Sequence, residues 1–109
     1  MKRLYVTPDI RNVVALSVEL ERKTMIEMGY KDPDNAGGTF TDEVLPLFER
    51  LKSDEADLND QEIQLLQYLL LELRSYLEGR VRLPLVPAEY TKRVQGQLEC
   101  VNSLLDFLS

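Results

Sequence analysis

The sequence predicts an all-α domain, a four-helix bundle-like fold with three long helices and one short one. Three observations carry this expectation. Apolar residues recur at helical spacing in the first, third and fourth quarters of the chain. Cap-forming residues bracket those stretches, and the segments between them are rich in Gly, Pro, Asp and Asn. The 109 residues suit one domain able to bury a core without staples.

The first helix is predicted over residues 8–28. Thr7 can cap it, Pro8 suits the first helical position, Asp9 complements the positive end of the dipole and Gly29 can close it. Ile10, Val13, Leu20 and Met28 form its apolar side with Ser17 and Thr24 between them, widened by Val14, Val18 and Met25. Residues 13–20 also carry a strand reading, because Val14, Leu16, Val18 and Leu20 alternate with Ala15, Ser17 and Glu19. The caps favour the helix, and no second convincing strand offers a partner.

Residues 29–40 read as a loop. A short helix is expected over 42–52, capped by Thr41, with Pro46 disturbing its first turn, and residues 53–58 form an acidic connector. The third helix, 60–78, has the clearest start. Asn59 with Glu62 three residues on makes a capping box, and Gly79 is expected to stop it. Pro84 and Pro87 impose an extended path on the following link. The fourth helix, 87–108, shows the stripe Tyr90, Val94, Leu98, Val101, Leu105 and Leu108.

Composition narrows the function. Apolar residues make up 44% and charged residues 29%, a globular balance. Cys100 is the only cysteine, so no internal disulfide forms, which suits a reducing compartment. The N-terminus has no apolar segment of signal-peptide type. Apolar runs such as Tyr68–Leu71 fall far short of the roughly 20 residues of a membrane span. A cytoplasmic protein with no membrane contact is the expectation. The net charge of −6 arises entirely in residues 42–62, where eight carboxylates face only Arg50 and Lys52. Phosphate backbones demand cations, so nucleic acid is disfavoured as a partner, and this segment suits a basic protein surface or plain solvation.

Catalytic chemistry is sparse. The chain has no histidine, which removes Ser–His–Asp and Cys–His catalysis and the commonest zinc ligand. It has no CxxC pair and no Gly-rich phosphate loop. Cys100 lies on the flank of the fourth helix and reads as a structural thiol. Glu21 falls within the apolar side of the first helix, where desolvation would raise its pKa. Asp32, Asp34, Gly37 and Glu43 match positions 1, 3, 6 and 12 of a calcium loop, but Pro33 and Ala36 depart from it and the preceding helix ends early. Pro84-Leu85-Val86-Pro87 is formally a PxxP motif without the basic residue it wants, and reads as an inter-helix link. No catalytic residue, metal ligand or cofactor is assigned.

The third helix supplies the functional clue. Ile63, Leu66, Leu70, Leu73 and Leu77 form one seam, and Leu65, Leu69 and Tyr76 a second beside it, together about 160° of circumference at 100° per residue. Tyr68 and Leu71 stand on the otherwise polar side. A surface helix needs an apolar arc of only about 100°. The seam is assigned to the core, and Leu65, Tyr68, Leu69, Leu71 and Tyr76 to a partner-binding surface. The leading expectation is a non-enzymatic protein-interaction module (adaptor, inhibitor or immunity-type accessory protein), with a homodimer as one form. The alternatives are a carboxylate-dependent metal-binding or hydrolytic helical domain and an acidic mimic of nucleic acid.

Overall fold

The cap at Asn59 forms in both directions in the computed structural model, which describes residues 1–81 and 87–109. Glu62 N–H donates to Asn59 Oδ1 at 2.8 Å, and Asn59 N–H donates to Glu62 Oε1 at 3.1 Å. Two backbone donors that a helix start leaves orphaned are thereby satisfied. The described elements are β1 (Lys2–Tyr5), α1 (Pro8–Glu27), α2 (Leu45–Arg50), β2 (Glu55–Leu58), α3 (Asp60–Val81) and α4 (Ala88–Leu108). The expected all-α, four-helix arrangement with one short helix is present, and a small sheet is added to it.

Residues 13–20 are helical, and the strand reading fails there. Thr7 Oγ1 accepts the Ile10 N–H, and Pro8 opens the helix. At the other end, Tyr30 N–H donates to the Met25 carbonyl and Gly29 N–H to the Ile26 carbonyl. This is the Schellman closure, and it needs the left-handed backbone of Gly29, at φ +103°. The turn carries Met28 out of the apolar stripe, leaving it 71% exposed rather than packed as its spacing predicts.

The strands form where the sequence reads as terminus and connector. Lys2–Tyr5 pairs antiparallel with Glu55–Leu58, Leu4 opposite Ala56 and Lys2 opposite Leu58. Ala56 and Leu58 point inward while Glu55 and Asp57 face solvent, a two-residue period too short and too acidic to register as a strand signal. Lys2 Nζ also donates to the carbonyls of Phe107 and Ser109 at 2.6 and 2.9 Å, placing a cation at the negative end of α4.

Two further boundaries are corrected. The short helix begins as a π turn at Phe40–Val44 before α2, and Thr41 is not its cap. Pro46 has no N–H to continue an ordinary α register there, and Leu45 N–H donates back to the Phe40 carbonyl instead. Thr41 braces the loop, its hydroxyl donating to the Pro33 carbonyl and accepting from Gly37 N–H. Helix α3 runs through Gly79 to Val81, since a glycine costs a helix about 1 kcal/mol and does not end it by itself. The proline-containing link from residue 82 to residue 86 lies outside the described residues.

The core follows the seams. Leu66, Leu70, Leu73 and Leu77 of α3 are buried with Val13 and Val14 of α1, Val94, Val101, Leu104 and Leu108 of α4, and Leu4 and Leu58 of the sheet. Ile63 packs at the edge of this cluster. A smaller cluster joins Leu69 of α3 to Val18 of α1 and to Phe40 and Val44 of the π turn. Buried Ser17 is satisfied by donating to the Val13 carbonyl at 3.0 Å. Helix α3 therefore contacts α1, α4 and β2. Leu70→Ala should cost about 2–5 kcal/mol of stability, and Leu71→Ala, one residue on but exposed, about 0.5 kcal/mol or less. Urea unfolding of both variants checks the contrast.

Candidate functional site

The five residues assigned to the partner surface separate in space. Leu69 is 2% exposed and belongs to the smaller core cluster, because the π turn brings Phe40 and Val44 over it. Leu65 is partly buried between both clusters. Leu69 is sealed, whereas Leu65 borders a hollow with Asp42, Glu43 and Gln61. Tyr68, Leu71 and Tyr76 are 50%, 44% and 45% exposed. Leu71 lies about 140° around the helix from Tyr76 and borders a hollow with Leu105 and Asp106 of α4 and with Ser109 just beyond it. Tyr68 and Tyr76 share the α1 side of α3, separated by two turns, about 12 Å along the axis.

Between the two tyrosines stands Glu72, and Glu21 approaches from α1. Loss of solvent raises the Glu21 pKa above its ordinary value, and the nearby Glu72 charge adds to the shift. The same two carboxylates hold the Tyr68 hydroxyl in its neutral form, Glu21 contributing most. The strip therefore presents aromatic faces at both ends and carboxyl groups between them. Glu21 was legible in the sequence as a desolvated carboxylate. Its proximity to Tyr68 was not, because that depends on how α1 crosses α3.

At Tyr76 the strip opens into a cleft of about 560 Å³ bounded by α1, α3 and α4. Leu16 and Leu20 form the α1 wall, Leu73 and Leu77 belong to α3, and Tyr90 and Val94 belong to α4. Arg80, at the end of α3, sits over the rings of both Tyr76 and Tyr90, at 5.6 and 5.4 Å from their centroids. Its Nε donates to the Tyr90 hydroxyl at 2.6 Å, which helps hold the guanidinium charged. Sequence reasoning missed this cluster. With the helix ended at Gly79, the Tyr76–Arg80 spacing of four is not on one helix, and Tyr90 lies across the link.

The remaining motifs acquire structural roles. Arg22 grips Asp34 through Nε at 2.9 Å and Nη2 at 3.3 Å, stacks over Phe40 and also pairs with Glu19. The carboxylate at the third calcium position is thus a loop anchor. Among the described residues no three His, Cys, Asp or Glu side chains converge as a metal site. Burial pushes the Cys100 thiol pKa up, helped by Asp9, the opposite of an activated nucleophile. The acidic segment is substantially paired. Arg50 bonds Glu62 and the Asp57 carbonyl, Arg3 bonds Asp57, Lys52 bonds Glu49, and Arg11 approaches Asp54 at 3.5 Å.

Comparison with models of protein families, with curated proteins and with solved structures finds no match for this chain.

Because the folded state holds the Glu21 proton more tightly than the unfolded chain does, Glu21 subtracts stability as pH rises above the ordinary glutamate value of 4.5. Glu21→Gln should therefore be more stable than the parent at pH 7, with the difference shrinking as pH falls toward 4. Asp57 has the opposite sign, its pKa lowered chiefly by the Arg3 hydrogen bond, but it is common to both proteins and cancels. Paired urea titrations at pH 4 and 7 test this, and a parent more stable than Glu21→Gln at pH 7 would contradict it.

Proposed function

We propose that the chain is a non-enzymatic protein-binding module that engages partners, a second copy of itself among them, through the strip from Tyr68 to Tyr76. One observation carries the reading. Two tyrosines about half exposed stand on the same side of a helix beside Leu69, Leu73 and Leu77, which are buried. Half-exposed tyrosine rings are well suited to interfaces, where the ring packs and the hydroxyl stays bonded. Leu16, 37% exposed at the cleft mouth, extends the apolar area. The acidic segment, with Asp42, Glu43, Glu55 and Asp60 outside the ion pairs found among the described residues, supports a steering role toward a basic partner.

The lone, pKa-raised cysteine supports work in a reducing compartment such as the cytoplasm. No helix among the described residues is long and apolar enough to cross a membrane.

Light scattering tests the self-association directly. The parent should show a concentration-dependent dimer, and the pair Tyr68→Asp and Tyr76→Asp should return it to monomer with an unchanged circular dichroism spectrum. Leu69→Asp should unfold the chain instead, since it places a charge in the core. For other partners, photo-crosslinkers at positions 68 and 76 should capture protein that a crosslinker at exposed position 5, on β1, does not. A strictly monomeric parent with no position-dependent crosslink would end this reading.

A further inference from the structure

We propose that the cleft between α1, α3 and α4 binds an amphipathic anion, an apolar chain or ring system bearing one carboxylate. Its volume of about 560 Å³ lies within the range of roughly 300–1,000 Å³ typical of small-molecule sites, which are largely apolar with a few convergent polar groups. Leu73, Leu77 and Val94 are buried at its base, and Leu16, Leu20 and Tyr76 rise around them. An apolar tail would be shielded there on three sides.

The charge at the wall selects the headgroup. Lys23 and Arg93 line the cleft, and among the described residues neither makes an ion pair. Of the two carboxylates in the wall, Glu19 is bonded by Arg22, a cation it shares with Asp34, and Glu27 stands against Lys23 and Arg93. Lining cations and carboxylates are thus equal in number, and Arg80 beside the wall, at its aromatic edge, tips the local balance to positive. Its Nε is committed to Tyr90 and its plane is stacked on Tyr76 and Tyr90, so the orientation of the guanidinium is fixed while its two terminal nitrogens make no hydrogen bond among the described residues. Such a held fork presents paired N–H donors at the spacing of a carboxylate. This site shares Tyr76 and Leu16 with the protein-binding surface but uses neither Tyr68 nor the dimer, so either reading can fail alone.

Decanoate and decan-1-ol are the probes, titrated into the full chain by calorimetry and followed by amide chemical shifts. Decanoate should bind one equivalent per chain, shifting the amides of Leu16, Tyr76 and Tyr90, and decanol should bind at least about tenfold more weakly. The double variant Lys23→Gln and Arg93→Gln, both at exposed positions, should keep the fold and lose about tenfold in decanoate affinity. Tyr90→Phe, which frees Arg80 without changing charge, should lose several-fold. No saturation at millimolar decanoate, equal binding of the alcohol, unchanged affinity in the double variant or shifts confined to another face would each overturn the proposal. So would a Leu- and Glu-rich amphipathic helical peptide that occupies the cleft where decanoate does not.

Discussion

Helix α3 has to hide Leu66, Leu69, Leu70, Leu73 and Leu77 at once, and several neighbours share the cover along its length. A helix packed against one partner buries a stripe, whereas this one is covered along two flanks. Helices α1 and α4 supply the larger cover, and β2 closes the N-terminal end of the same surface. The last flank, at Leu69, is reached only because the π turn swings Phe40 and Val44 inward over it. Much of the rest of the architecture follows from that need. The sheet exists to bring Leu4 and Leu58 onto the core, and the loop before the π turn is pinned by Arg22 so that Phe40 arrives in place.

Charge is arranged around the same frame. The cations of α1, α2 and β1 reach into the acidic middle of the chain, Arg11 to Asp54, Arg50 to Glu62 and Arg3 to Asp57. Individually such exposed pairs contribute little, about 0–1 kcal/mol. Collectively they draw the N-terminal strand onto its partner and leave the acidic run less bare than its composition suggests. Lys23, Arg80 and Arg93 are not used in this way, and they gather beside the tyrosines toward the C-terminal end of α3. The first half of the helix is closed by hydrophobic cover. The second half carries open aromatic rings and cations outside the ion pairs.

How much of this the sequence discloses depends on how local each signal is. The caps at Thr7 and Asn59 and the closure at Gly29 involve residues within a turn of one another, and they form as read. The seam from Leu66 to Leu77 is equally local, being a property of one helix. Residues whose fate depends on a neighbour were not legible. Leu69 and Tyr76 sit on the same predicted stripe, yet one is sealed by Phe40 and the other faces a cleft, and only the crossing of elements decides between them. The strand at Glu55–Leu58 was hidden because its alternation covers four residues and its outward pair is acidic, which reads as solvated loop. The Asp32–Glu43 spacing, set aside in the sequence for its departures at Pro33 and Ala36, shows the converse limit. Four matching residues specify a calcium loop only if their oxygens converge, and Arg22 holds Asp34 instead.

The contrast between Leu69 and Tyr76 also bears on why the cleft stays open. Along the first half of α3 the flank toward α1 receives a third element, the π turn, that fills the space between the helices. Farther along, beside Leu73 and Leu77, none of the described residues plays that part, and the leucines of α1 and the tyrosines of α3 and α4 face a common void. A void bounded by aliphatic side chains alone would favour tighter packing of the helices, because dispersion contacts are forfeited across any gap. Here Tyr76, Arg80 and Tyr90 form a stacked, hydrogen-bonded wedge whose flat groups cannot interdigitate as leucines do. That wedge bridges the end of α3 to the start of α4. Tyr90→Phe, which keeps the ring on the core cluster but deletes the bond to Arg80, should loosen the aromatic edge of the cleft while leaving the buried seam in place.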